Sequence, residues 1–259
     1  MISIEAFDRR MAEQGWVVFE KAIPLTIVEQ MREDIHEAYA ICRDYQIKNG
    51  IDQDTSYTVH HLVGQFDSFL DCLKAYPIYG FIERYFGGQF ILNSFGGAIN
   101  TRDSVSYAQR VHRDIRSYSG ETALLLNTLV MLDDFTADNG ATWMLSGSHK
   151  AEAKPSDEYF KAHAEQAIAP AGSILMFNSN VWHAGGSNET DAVRRSVTPM
   201  FSKPFMKQQF DYPRALGYDR GPDFDETLRQ VIGYNARVPA TLDEWYQPPA
   251  KRMYHSNQG

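Results

Sequence analysis

His112 and Asp114 are separated by one residue. In extended backbone, side chains at i and i+2 point to the same side, so an imidazole and a carboxylate converge there. A third ligand must come from elsewhere. His183 stands in Val181-Trp182-His183-Ala184-Gly185-Gly186, a turn-like segment after the apolar run Ser173 to Phe177. Two histidines and one carboxylate on one face, with the opposite face open, hold non-haem Fe(II) for oxygen chemistry. A bare His-x-Asp is a weak signal and also describes a surface turn with a hydrogen-bonded pair. The downstream sequence strengthens it. Arg194 opens Arg194-Arg195-Ser196-Val197-Thr198-Pro199-Met200-Phe201, which has the β-branched and aromatic content of a strand. Arg194 and Ser196 share one face of that strand. A guanidinium fork beside a hydroxyl suits a carboxylate held bidentately, which a point-charge lysine would hold less well.

These residues need a scaffold that presents strand faces to one another. From Gln89 onward the chain reads as short strands with glycine punctuation: Phe90 to Phe95, Ala98 to Thr101, Ala123 to Leu132, Thr142 to Leu145, Ile174 to Phe177 and Arg195 to Phe201. That texture predicts a sandwich or jelly roll rather than a βαβ fold. Residues 1–88 read as a largely helical cap around an early strand, Trp16 to Phe19. Thr26-Ile27-Val28-Glu29 has the form of a capping box, and Ile27, Val28, Met31, Ile35, Ala38 and Cys42 follow at helical spacing. Two shorter helices follow, one with Phe66, Phe69, Leu70 and Leu73, the other with Ile78, Phe81, Ile82, Tyr85 and Phe86 before Gly87-Gly88. Lys48 to Val63 is polar and irregular; its His60-His61 pair reads as a loop or strand end near the surface rather than a second metal site, or as part of a mobile flap over the pocket. Residues 203–259 read as an extended C-terminal segment with one helix near Asp225 to Ile232, packed over the core 89–202. The whole chain, 1–259, is expected to be a single domain.

The blocks Gln109-Arg110-Val111-His112-Arg113-Asp114, Leu132 to Thr142, Gly147-Ser148-His149-Lys150, and His183 followed by Asn188 and Arg194 together resemble the phytanoyl-CoA dioxygenase family. The resemblance runs from Gly15-Trp16-Val17-Val18 to about Phe201. It implies a double-stranded β-helix, the cupin-like jelly roll, using Fe(II), 2-oxoglutarate and O2 and releasing succinate and carbon dioxide. By it, His112, Asp114 and His183 carry over as the iron ligands and catalytic centre, and Arg194 as the partner of the distal carboxylate of 2-oxoglutarate. Ser146 stands where the family usually has proline, and Trp143 where a basic residue is frequent. In related halogenases a small apolar residue replaces the ligand carboxylate, so Asp114 implies hydroxylation, desaturation or ring formation rather than chlorination. Beside such a site Asn127, which interrupts an apolar strand, is expected to line the cavity, with Gln109 and Asn100 as further cofactor-binding candidates and Ser196 beside Arg194.

Composition bounds the alternatives. At 259 residues, with 43% hydrophobic and 13% aromatic content, the chain can bury a sizeable core. A net charge of -8 argues against nucleic-acid or anionic-membrane partners. No apolar run has the length of a membrane span, and Glu5, Asp8, Arg9 and Arg10 near the start do not make a signal pattern, so a cytoplasmic protein is expected. Cys42 and Cys72, in helical segments, read as reduced thiols. Asp133, Asp134 and Asp138 read as a solvated turn, and Arg102, Arg110, Arg113 and Arg116 as solvated strand faces paired with surface carboxylates, with attraction of an anionic substrate as the alternative. His149 resembles the structural histidine of the family's Gly-Ser-His turn, whereas His36 and His163 read as incidental. The expected partner is a small metabolite or natural-product intermediate; the sequence does not name it or the oligomeric state. Two other readings stay open. One is a cupin-type metal hydrolase or isomerase without 2-oxoglutarate, which leaves Arg194 and Ser196 without a role; the other is a catalytically silent jelly-roll binding protein.

Overall fold

The computed structural model describes residues 2–53, 55–104 and 107–252. Its chain order is helix α1 (Ile4–Glu13), strand β1 (Trp16–Phe19), α2 (Leu25–Lys48), β2 (Thr58–Val59), α3 (Asp67–Lys74), α4 (Tyr79–Phe86), β3 (Ile91–Asn100), β4 (Leu125–Met131), β5 (Trp143–Met144), α5 (Asp157–His163), β6 (Glu165–Gln166), β7 (Ile174–Asn178), β8 (His183–Ala184) and β9 (Arg194–Ser202). Short helices α6 (Tyr212–Leu216), α7 (Glu226–Ile232) and α8 (Leu242–Trp245) follow. Six strands form one antiparallel sheet in the order β1-β7-β4-β9-β3-β2, and three form a second, β6-β5-β8.

β4 shows why the chain folds this way. All seven of its residues are buried, because it lies between β7 and β9 and both faces of the sheet are covered. Alternation sorts its side chains. Leu126 and Val130 join Val197 and Phe201 of β9 in a core against the helices, with Val28, Met31, Ile35, Phe69 and Ile82. Leu129 and Met131 face the other way and pack with Leu175, Phe177, Met144 and Val181 in a core shared with the small sheet. Asn127, on this second face, therefore looks between the two sheets. So do Arg194, Ser196 and Thr198 of β9, which alternate with the helix-facing Val197.

Several boundaries differ from the sequence expectation for identifiable reasons. The two strands expected across Phe90 to Thr101 are one, β3, with a register shift between Leu92 and Ser94. Asn93 at that shift donates its amide to Ser202 Oγ (3.3 Å) and the Lys207 carbonyl (3.1 Å). The strand runs through Gly96-Gly97, where the glycine pair suggests a break. A Cβ on Gly97 would meet the Ser196 carbonyl at 2.7 Å, so glycine there lets the neighbouring strands close up. The capping box does not form: Thr26 lies inside the first turn of α2, and the Pro24 carbonyl accepts from the amides of Ile27 (3.1 Å) and Val28 (3.2 Å). His183-Ala184, expected as a turn, is a short strand paired with β5. In the tail, α7 forms where expected, with the Asp225 side chain capping Leu228 N at 2.7 Å. Cys42 and Cys72 are free thiols on α2 and α3. Among the described residues no helix is long and apolar enough to cross a membrane.

Helix α1 presents only a thin apolar stripe in a polar segment. Ser3 caps it by accepting from Ala6 N (3.2 Å), and Phe7 and Met11, one helical turn apart, are its buried residues. The Phe7 ring lies 5.0 Å from Phe81 of α4 and 6.4 Å from Phe19 of β1, closing a three-ring cluster. Phe7→Ala is expected to destabilise the protein by about 3–5 kcal/mol, read as a lowered urea midpoint at unchanged slope.

Candidate metal centre and its cavity

His112 and His183 are backbone partners in an isolated antiparallel bridge: His112 N donates to His183 O at 3.0 Å and His183 N to His112 O at 2.9 Å. This bridge brings the two rings to a centroid separation of 4.3 Å. Asp114 then stands beside both, with Oδ1 3.3 Å from His112 Nε2 and Oδ2 3.5 Å from His183 Nε2. The potential ligand atoms of the three residues all lie within 4.8 Å of one another. His112 Nδ1 is 2.7 Å from the Arg110 carbonyl and His183 Nδ1 is 3.0 Å from the Val181 carbonyl. A carbonyl only accepts, so both Nδ1 atoms carry a proton, and both Nε2 atoms turn toward Asp114. Two imidazole nitrogens and a carboxylate facing inward make a donor set that fits a divalent metal with nitrogen and oxygen preferences.

The surroundings fix this arrangement. Asn127 donates Nδ2 to Asp114 Oδ2 and accepts from Ser179 Oγ on its own Oδ1, so its amide orientation is set from both sides. The Gly-Ser-His turn holds the other ligand: Ser148 Oγ accepts from Trp182 N (2.9 Å) and donates to Leu145 O (2.6 Å), while Leu145 N donates to Trp182 O (3.0 Å). Arg113, between two ligands and read from sequence as a solvated charge, lays its guanidinium over the Trp182 ring at 4.1 Å. Its Nη2 also donates to the carbonyls of Ala151 and Glu152, each at 2.8 Å. It therefore ties both ligand-bearing segments to a third loop. Its position beside His112 was the available signal; its stacking partner was not legible. Ser146 exchanges hydrogen bonds with Trp16 Nε1 (2.9 Å) and Glu165 Oε1 (2.6 Å), bonds that a proline there could not make. Trp143 packs with Val111, Trp182 and Ala184 around the ligand strands.

The triad opens into a cavity of about 170 Å³ whose wall includes Asn127, Arg194, Ser196, Thr198 and Thr142. Arg194 is 5% exposed. Its Nη2 donates to the Gly140 carbonyl at 3.1 Å and its guanidinium lies 4.4 Å over Phe135, while Nε has no partner among the described residues. Burial pushes its pKa down to about 10, against the pull of Asp133, so it remains a cation at neutral pH. A buried cation with no carboxylate in contact is costly unless a ligand supplies the anion. Gly140, whose carbonyl accepts from Arg194, sits in left-handed backbone at φ 88°, and a Cβ would meet the Gly186 carbonyl at 2.4 Å.

Other expectations are corrected. Asn100 donates its amide to Gly186 O (3.0 Å) and accepts from Ser104 Oγ (2.7 Å), bracing the loop behind Gly140 outside the cavity wall. Gln109 donates to Ser104 O (3.1 Å) and likewise lies outside that wall. Both amides are engaged by other protein groups: that of Asn100 ties the end of β3 to Gly186, 86 residues away, and that of Gln109 closes the local turn back to Ser104. Asp133 is no solvated turn residue. It accepts from Arg195 Nε and Nη2, both at 2.9 Å, and pairs with Arg32 of α2 at 3.2 Å. Thr198 was missed although it continues the Arg194-Ser196 alternation by one more step.

Residues 11–196 match the family described as phytanoyl-CoA dioxygenase, PhyH. The chain belongs to this family. The Mycobacterium tuberculosis protein Rv1501 is 39% identical over 171 residues, 66% of this chain and 61% of its own length. The chain thus spans less than two thirds of that relative. Dioxygenase olcK of Penicillium canescens is 27% identical over 232 residues, covering 79% of this chain and 73% of its own. Among solved structures, AviO1 from Streptomyces viridochromogenes Tue57 superposes with a TM-score of 0.58 at 16% identity, covering 79% of this chain and 97% of that one. This last likeness concerns the fold. The matched span includes His112, Asp114 and His183, which the fold brings together in space.

The charge states of this centre predict its response to acid. Burial pushes His183 down to about 4 from an ordinary 6.5, although Asp114 pulls the other way. Asp114 is held below its ordinary value despite burial, through His183, His112 and Asn127. His112 is lifted: burial would lower it, but the hydrogen bond and charge of Asp114 outweigh that. Between pH 6.5 and 4 the unfolded chain binds a proton at His183 that the folded chain refuses, so this contribution is complete above pH 6.5 and lost as pH falls toward 4. His112 acts with opposite sign, its contribution present below 6.5 and lost as pH rises through its folded value. For chelator-treated protein, urea denaturation at pH 7 and pH 5 is expected to show His183→Gln flattening the acid-side loss by on the order of 1–2 kcal/mol.

Proposed function

We propose that this chain is an Fe(II)- and 2-oxoglutarate-dependent oxygenase on a double-stranded β-helix, one domain that hydroxylates a small metabolite or natural-product intermediate in the cytoplasm. The observation that carries the reading is the pairing, within one cavity, of a His-Asp-His triad at one end with a buried, unpaired Arg194 at the other. The dioxygenase name of olcK agrees with it. Arg194, Ser196 and Thr198 line the cavity from one strand, and Arg194 to Thr198 spans roughly 13 Å of β backbone. That leaves room for a short molecule that chelates at one end and carries an anion at the other. A hydrolase or isomerase on the same triad would leave Arg194 without a partner.

His112, Asp114 and His183 would hold the iron, which with 2-oxoglutarate and oxygen supplies the oxidising power and leaves succinate and carbon dioxide. The chain's own residues do the positioning. Arg194 offers its forked donors to the far carboxylate, with Ser196 as an adjacent hydroxyl. Asn127 holds Asp114 by a hydrogen bond to one carboxylate oxygen, and Ser179 keeps Asn127 from turning over. Leu129 and Phe177 in the cavity wall, with Phe135 against the guanidinium, give the cation apolar surroundings that strengthen its attraction for an anion.

Anaerobic addition of Fe(II) and 2-oxoglutarate is expected to give the weak visible charge-transfer band of the chelate. The band should be absent in His183→Ala. In Arg194→Ala the 2-oxoglutarate concentration needed for half its amplitude should rise by about 100-fold. Asp114→Ala should abolish hydroxylated product. Iron binding without the band would overturn the 2-oxoglutarate assignment.

A further inference from the structure

A second cavity, of about 620 Å³, adjoins the first and shares Asp114 with it. The sheet register locates it. Asn127, which holds Asp114, is opposite Met200 of β9, and Leu125, in the wall of the second cavity, is opposite Ser202. Arg194 lies at the far end of the same strand, so the second cavity opens on the side of the triad away from Arg194. It offers the triad's other approach to molecules from solution.

The wall of this outer cavity has a distinct chemistry. Ile115, Leu125 and Met206 give it an apolar surface, and Arg116 and Lys207 add two cations. Its one carboxylate is Asp114, already committed to the histidines and Asn127. Neither Arg116 nor Lys207 has an ion-pair partner among the described residues, in a chain with 33 acidic and 25 basic side chains. His61, also in the wall, is a neutral group: burial and the neighbouring His60 push it down to about 4. Its ring stacks on Phe210 at 4.4 Å, and its Nδ1 lies 3.3 Å from the Tyr212 hydroxyl. The residue sits at φ 58°, a left-handed conformation uncommon for a residue with a side chain.

We propose that this outer cavity takes the organic substrate and that the substrate is amphipathic and anionic, its carboxylate or phosphate held by Arg116 with Lys207 and its apolar part lying on Ile115, Leu125 and Met206. The word substrate rests on the oxygenase reading above; the anion site itself does not. An anion placed at Arg116 directs the opposite end of the molecule toward Asp114 and the metal centre. Recognition at one end would thereby select the carbon presented at the other.

The test is calorimetric titration of the full-length, metal-free chain with decanoate, decyl phosphate and decanol. Either anion is expected to bind roughly tenfold more tightly than decanol, and the tighter of the two identifies the preferred group. Arg116→Gln should remove this preference and Arg116→Glu reverse it; both alter an exposed side chain, and unchanged urea midpoints would verify folding. Lys207 also borders a neighbouring surface cavity lined by Arg237, so Arg237→Gln is the control and should leave the preference intact. Equal binding of the three probes, no binding of either anion, a preference that survives Arg116→Gln (as it would if the probes sat against Arg194), or its loss through Arg237 rather than Arg116 would overturn the proposal. No iron or 2-oxoglutarate is present, so this outcome is independent of the charge-transfer band.

Discussion

The bridge between His112 and His183 is the constraint on which the rest depends. Two backbone hydrogen bonds fix two ligands that are far apart in sequence, and they bring Asp114 with them because it follows His112 by two residues. Neither ligand segment has much regular structure of its own: β8 is two residues long, and the 112 side contributes one bridge residue. The precision comes from outside. Ser148 grips the peptide of Trp182, Arg113 covers the Trp182 ring, and Asn127 reaches from the large sheet to the carboxylate. Each contact joins a different pair of segments, so the centre is determined from three directions.

The second constraint is electrostatic. Arg194 is a buried cation, and among the described residues no carboxylate contacts it. Asp133, its nearest source of negative charge, is engaged instead by Arg195 and Arg32, the former on the opposite face of the same strand. Alternation along β9 thus separates a satisfied arginine from an unsatisfied one at consecutive positions. The satisfied pair locks the sheet to α2, and the unsatisfied one gives the inner cavity its preference for an anion.

The triad and the Arg194-Ser196 face were legible because they depend on short-range rules: side-chain alternation over two residues, and residue types matched to a metal or a carboxylate. The buried strands were legible as apolar runs, though Gly96-Gly97 looked like an ending when it was a close approach between strands. What escaped was set by tertiary packing. Arg113 is one of four arginines near the motif, and only the fold reveals that it stacks on Trp182. Asn100 and Gln109 carry amides well suited to a ligand, but nearby backbone groups use them first. Helix α1 has only two buried side chains, too thin a stripe to stand out in a polar segment.

Strand β2 is flanked by two non-glycine residues in left-handed backbone, Tyr57 at φ 60° and His61 at φ 58°. Between them Thr58 borders the inner cavity, while His61 borders the outer one. Each such residue carries roughly 1–2 kcal/mol of conformational strain that glycine would release. Selection for thermal robustness alone would therefore favour glycine at these two sites, and both changes would slacken the segment that borders both chambers. Positions 57 and 61 are where this fold has traded durability for shape, and a lineage adapting to heat would have to find its added stability elsewhere.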